Sequence, residues 1–287
     1  MHWTSRREQL RAVLAGEHCV HPASVFDAGS ARIAQSLGFE AAMLAGSVAS
    51  LAVLGAPDLI LLTLSELSHL ALRICRAADL PLIVDADHGY GNALNVGRTI
   101  EELELAGVAL ITIEDTVLPR RFDDSGPALV PIEEGYGKMR AALAARHDPA
   151  LIIAGRTTVS TAGVAEAITR ARAYRMAGVD AIFFAGVCTI AELEAIAAAI
   201  PPPLLLGGTP AGLADRATLA RLGVRVALQP HLSFTAAMAA VFATLKALRE
   251  GALPETIGGV APPSLMRSIS HDDDYRAAIK AFLTTTG

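Results

Sequence analysis

The chain has 287 residues, 52% of them hydrophobic and 5% aromatic, with a formal net charge of −5. That length suits one large barrel or two ordinary domains, with a core of Ala, Leu, Ile and Val as in a layered α/β protein. A mildly acidic chain without basic blocks argues against nucleic acid as the main partner, and three scattered cysteines, Cys19, Cys75 and Cys188, fit a reducing cytoplasm.

The opening stretch MHWTSRREQLRAVL is polar and amphipathic; it predicts a helix over 4–14 and shows no signal-peptide core. Strands are expected near 22–26, 40–45, 81–85, 108–114, 151–156, 180–185, 203–206 and 224–228. Helices are expected between them, near 28–37, 65–78, 93–106, 132–146, 162–177, 190–199, 213–221 and 234–249. Thr63-x-x-Glu66 and Thr189-x-x-Glu192 read as capping boxes, and Asn92 as an N-cap. One phrase recurs where a helix yields to a strand: Leu37-Gly38-Phe39, Ala106-Gly107-Val108, Ala177-Gly178-Val179 and Leu222-Gly223-Val224. Glycine just past a helix fits a left-handed cap. The most apolar region, Val48 to Leu64, is broken by Gly55, Pro57 and Asp58, so no membrane span is expected.

Eight βα units in this length predict an α/β fold, a (β/α)8 TIM barrel with an N-terminal helix. No GxGxxG follows the first strand, which disfavours the alternative of an open doubly wound sheet. The whole of 1–287 reads as a single barrel domain with a C-terminal helical extension over about 252–287, including a polar helix near 273–283.

A barrel carries its active site at the C-terminal ends of its strands. There the sequence places Asp27, the run Gly46-Ser47-Val48-Ala49-Ser50, Asp85 and Asp87, Glu114 and Asp115, Arg156-Thr157, and His231. Asp85 and Asp87 alternate at the end of an apolar run and should point the same way from a strand. Paired carboxylates of this kind are best tolerated around a hard cation, Mg²⁺ or Mn²⁺. Asp85 is the expected direct metal ligand, with Asp87 and Glu114 binding directly or through metal waters; Asp58 either joins them or is a turn residue after Pro57. Arg156 ends a buried strand and suits a substrate carboxylate, or else a structural ion pair with a rim acid. Ser47 is a candidate for a second carboxylate or a phosphate, or else a turn residue, and His231 for substrate binding or proton transfer, or else a loop cap. His88 and Tyr90, among glycines, would form a wall over the site, and Leu118 to Val130 reads as a lid without Cys, His or Lys.

Asp85-Ala-Asp87-x-Gly-Tyr-Gly, Thr112-Ile-Glu114-Asp115 and Arg156-Thr157 together resemble the isocitrate lyase/phosphoenolpyruvate mutase superfamily, over Ser24 to about Leu248. The resemblance implies a modified TIM barrel, Mg²⁺ on the strand-3 and strand-4 acids, a small-molecule 2-oxoacid substrate, and homotetramers that swap C-terminal helices. Lyases of the superfamily carry a lid cysteine, where this chain reads Pro119-Arg120-Arg121-Phe122-Asp123; the lid Lys and Asn of mutases and hydrolases are also missing. The runs Ala23 to Asp27, Gly46 to Leu51, Asp85 to Val96 and Ala220 to Val226 resemble the oxaloacetate decarboxylase branch. That similarity implies Ser47, Arg156 and His231 for substrate, Asp85 for Mg²⁺, and decarboxylation of oxaloacetate or a close 2-oxo diacid to pyruvate and CO₂. Two departures stand out: Thr158 two residues after the strand-5 Arg, and Gly207-Gly208-Thr209 at the strand-7 exit where the branch has Tyr or Asn. The alternatives are a C–C or C–P lyase or hydrolase acting on a 2-oxoacid, and a catalytically weak 2-oxoacid-binding homologue.

Overall fold

The computed structural model describes residues 3–120, 122, 126–213 and 215–283. The chain falls into two compact units, Met1–His231 and Leu232–Gly287.

The first unit is built on eight parallel strands in sequential order. They are β1 (Ala23–Ser24), β2 (Ala42–Leu44), β3 (Leu82–Asp85), β4 (Leu110–Glu114), β5 (Ile152–Thr158), β6 (Ala181–Ala185), β7 (Leu204–Gly207) and β8 (Val224–Ala227). The sheet curls shut: Val20 bridges to Val226, its N–H donating to Arg225 at 2.9 Å and its carbonyl accepting from Ala227 at 3.0 Å. This is the (β/α)8 barrel expected from the alternation of elements.

Helices clothe the strands in chain order. They are α1 (Thr4–Ala15), α2 (Ala28–Ser36), α3 (Gly46–Leu54), α4 (Leu64–Ala77), α5 (Ala93–Leu105), α6 (Ile132–Ala145), α7 (Val159–Ala162), α8 (Val164–Ala177), α9 (Ile190–Ala199) and α10 (Arg216–Arg221). Strand residues Val84, Ile111, Ile153, Phe184 and Leu206 pack against helix residues Leu67, Ile100, Met139, Tyr174 and Ile196 in one buried layer. The alternate strand residues, Ile83, Leu110, Ile152 and Leu205, are equally buried on the other face, inside the barrel. A sheet buried on both faces needs near-continuous apolar strands, which is why a polar residue within one stands out.

The local signals hold. Thr63 and Thr189 form capping boxes with Glu66 and Glu192, and the Asn92 side chain accepts from Leu94 N–H. At the recurring helix-to-strand phrase, Gly38, Gly107, Gly178 and Gly223 have φ of 78°, 94°, 103° and 82°, a left-handed turn that costs glycine no Cβ clash. One element missed was α3, since 46–50 read as a rim loop. Ala45 gives it no side-chain cap and it is apolar nearly all round, so neither capping nor period announces it.

The second unit contains α11 (Leu232–Arg249), α12 (Pro263–Ser270) and α13 (Asp272–Phe282). Helix α12 had no counterpart among the expected elements. Among the described residues, α11 alone is long and apolar enough to cross a membrane by length and composition. It exposes Val241, Phe242 and Leu245, and α13 exposes Tyr275, Ile279 and Phe282.

Candidate active site

The C-terminal ends of β3, β4 and β5 bring an arginine between two acids. Strand alternation puts Asp85, Thr112, Glu114 and Arg156 on the inner face, and Glu114 and Arg156 are paired in register. Arg156 Nη1 donates to Asp85 Oδ2, and Nη2 pairs with Glu114 Oε2 at 3.0 Å. Thr112 Oγ1 donates to the other Asp85 oxygen at 2.9 Å. The guanidinium lies over the Phe183 ring, 5.2 Å from its centroid. Burial works against the arginine's charge, but Asp85 and Glu114 outweigh it and hold its pKa above the ordinary value.

Asp87 reaches the same cluster by a different route from the one expected. Strand β3 stops at Asp85, and Asp87 has φ +47°, so simple strand alternation does not place it. Instead a turn carries its carboxylate to the start of α3. A Cβ on Gly46 would lie 3.0 Å from Asp87 Oδ1, so glycine gives the carboxylate room that a larger residue would narrow. Burial, then Asp85, Asp58 and Glu114, push the Asp87 carboxyl up to about 8. Glu114 is raised too, by burial first, against the pull of Arg156; Asp58 is raised by burial and by Asp85.

A cavity of about 580 Å³ opens on this cluster. Asp58, Asp85, Arg156, Ser47 and His231 line it on the polar side, and Phe183, Val187, Pro210 and Leu228 are among its apolar lining. Gly207, Gly208 and Thr209, the strand-7 departure, are also in the wall. Asp87 and Glu114 are not in the lining; Asp87 lies against Gly46 and Glu114 against Arg156. Ser47 sits in the first turn of α3, where helix N–H groups favour an anion. His231 Nδ1 is 2.8 Å from Ser24 Oγ, and burial lowers its pKa, favouring the neutral ring.

Several expectations find other employment. Asp27 caps α2 in a reciprocal box with Ser30. Asp115 points away from Glu114 into the helix layer, accepting from Tyr174 Oη at 2.6 Å and Arg170 Nη1 at 3.3 Å. His88 is buried and, like Tyr90, does not line the cavity. The lid stretch is tied at its base, where Val117 N–H donates to Ala128 and Val130 N–H to Asp115. Within it, Arg121 and Asp123 to Ser125 lie outside the described residues. Ser24 was not singled out from the sequence; its place at the end of β1, the strand beside β8, was the available signal.

The donor chemistry suits a hard divalent cation. Four carboxylates, Asp58, Asp85, Asp87 and Glu114, share one neighbourhood with one arginine, and the carboxyl of Asp87 is pushed up first by burial and then by the three other acids. Among the described residues no three Asp, Glu, His or Cys side chains converge as a closed ligand set. Mg²⁺ does not require one, because it binds through one or two carboxylates and keeps several waters.

The family model described as phosphoenolpyruvate phosphomutase matches residues 10–249. A protein of Rhodopseudomonas palustris (strain BisA53) named oxaloacetate decarboxylase is 53% identical over 274 residues, 95% of each chain. Among solved structures, oxaloacetate acetylhydrolase in complex with the inhibitor 3,3-difluorooxalacetate superposes with a TM-score of 0.86 at 28% identity, over 99% of each chain. Phosphonopyruvate hydrolase in complex with oxalate and Mg²⁺ gives 0.84 at 28% identity, over 97% of this chain and 99% of that one. The chain therefore belongs to the phosphoenolpyruvate phosphomutase family, in company with oxaloacetate decarboxylases that share half of its residues or more.

Proposed function

We propose that the protein is a Mg²⁺-dependent carboxy-lyase that converts oxaloacetate, or a close 2-oxo diacid, to pyruvate and CO₂, with Mn²⁺ as an alternative cation. The observation that carries this reading is the surplus of carboxylates around Arg156 in a cavity that also holds Ser47 and His231. Asp85 would hold the cation, with Asp87 and Glu114 binding directly or through metal waters, and the cation would supply Lewis acidity toward negative charge on the substrate's keto oxygen.

The chain's own residues do the rest. Ser47 and the N–H groups of the first turn of α3 hold a substrate carboxylate. Arg156 spends two of its five N–H donors on Asp85 and Glu114; it is itself anchored, and it orients the substrate with the remainder. Loss of the distal carboxylate as CO₂ leaves an electron pair on C3, delocalised onto the C2 oxygen. Uptake of one proton at C3 then gives pyruvate. Ser24 engages His231 Nδ1 and leaves Nε2 to meet the substrate, so the ring, protonated from solvent, delivers that proton at C3 and returns to its neutral form. No step needs a covalent nucleophile, in keeping with a lid sequence that has neither Cys nor Lys.

We further assign a cytoplasmic homotetramer, supported by the apolar side chains exposed along α11 and α13 and tested by solution mass. The activity test is pyruvate release from oxaloacetate with Mg²⁺ or Mn²⁺, against EDTA and a metal-only blank, because free divalent ions already decarboxylate oxaloacetate. Saturable, EDTA-sensitive turnover above the blank is expected. The solved relatives give a second reading, cleavage of a C–C or C–P bond in another 2-oxoacid, which phosphonopyruvate and methylisocitrate test directly. Tight oxalate binding without any turnover would instead mark a silent homologue.

A further inference from the structure

Lys138 lies on α6 with 2% of its surface exposed, yet it does not line the cavity. Its neighbours on the buried face of the helix are Gly135, Met139 and Ala142. An ammonium in such a place is costly unless it is held by a partner, and a leucine or methionine would serve the helix better. The Nζ donates to the His88 carbonyl at 3.1 Å, its one hydrogen bond among the described residues.

That carbonyl belongs to the turn that delivers Asp87. The turn is pinned at several polar backbone groups: Ala86 N–H to Thr112 at 3.1 Å, Gly89 N–H to Ala86 at 2.9 Å, and Glu114 N–H to the Asp87 carbonyl at 2.8 Å. Thr99 Oγ1 holds the Gly89 carbonyl at 3.0 Å. Pinning is needed because Asp87, a residue with a Cβ, is held in the left-handed region. Lys138 supplies the one charged contact in this set. The acids facing it are Glu114, Asp115 and Glu134.

We infer that Lys138 is a positioning residue: its ammonium holds the His88 carbonyl and so fixes the turn that presents Asp87 beside Asp85 to a divalent cation. The inference rests on the proposed cation site and deepens it.

The test titrates Mn²⁺ alone into the wild type, D85A, K138M and K138R, and records melting of each protein in metal-free buffer. The expected pattern is binding by the wild type, none by D85A, and K138M weaker by about tenfold or more, as for other supports of metal ligands. K138M leaves the buried His88 carbonyl without its donor, so a lower melting temperature is expected beside the weaker binding, and K138R should recover most of the affinity. K138Q carries the same expectation if K138M does not fold. A K138M protein that melts lower but binds Mn²⁺ like the wild type would show an ordinary structural lysine and overturn the inference, leaving the cation site intact. A D85A protein that binds Mn²⁺ like the wild type would remove the cation site, and this inference with it.

Discussion

Glu114 and Arg156 are register neighbours on β4 and β5, and their side chains close an ion pair of 3.0 Å inside the barrel. The same guanidinium grips Asp85 from β3. Removing it strands buried carboxylates, so R156A should lose about 3–5 kcal/mol of stability in metal-free buffer, with part regained on adding Mn²⁺. R156K keeps the charge but not the planar fork, so it should stay folded while turnover falls about 10²-fold. Urea denaturation with and without Mn²⁺, alongside steady-state kinetics, checks both.

Asp87 sets the pH dependence of cation binding. Its carboxyl is pushed up to about 8 by burial and by the acids around it, so near neutrality it holds a proton that a cation must displace. Affinity for Mn²⁺ should rise about tenfold per pH unit below 8 and level off above it. For the metal-free fold the sign is the opposite. A carboxyl whose folded pKa exceeds its unfolded value contributes stability that is full below the unfolded value and lost as pH rises through about 8. Calorimetry in two buffers of different ionisation enthalpy reads the released proton.

His88 gives a second pH signature with the opposite direction. Burial, helped by Lys138, lowers its pKa from 6.5 to about 4. A group with a depressed folded pKa contributes stability that is present above its unfolded value and lost as pH falls through the folded one. The loss between these limits is at most about 3 kcal/mol, and it should vanish from the pH slope of H88N. Equilibrium unfolding of both proteins from pH 7 to pH 4 makes the comparison.

Ser24 and His231 should separate in kinetics. Replacing His231 by Asn removes the proton-transfer group and should lower kcat about 10²- to 10³-fold. S24A leaves the ring in place and removes the contact at Nδ1, so a loss of about tenfold or less is expected. Equal losses in the two variants would mean that the serine acts on substrate directly.

What the sequence displays and what it hides divide along a physical line. Signals confined to a few neighbours were legible: the capping residues Thr63 and Thr189, the glycines at 38, 107, 178 and 223, and the apolar strands between them. So was the gathering of Ser47, Asp58, Asp85, Arg156 and His231 around one cavity, because a barrel sends all its strand ends to one rim. Hidden were features that depend on distant partners or on one backbone turn. The Arg156–Asp85 bond spans 71 residues; an ion pair of Arg156 with a rim acid is one of two readings the sequence leaves open, but nothing near either residue says which acid it takes. The left-handed turn at Asp87 and the Ser24–His231 pair are of the same kind.

The most direct measurement is pyruvate formation from oxaloacetate by the wild type and by D85A across a range of Mg²⁺ concentrations, each corrected for the metal-only blank. The expected result is saturable, EDTA-sensitive turnover by the wild type and none above the blank for D85A, with the variant's fold intact by circular dichroism. Mg²⁺-dependent turnover retained by D85A would contradict the assignment of Asp85 and, with it, the reading of the site.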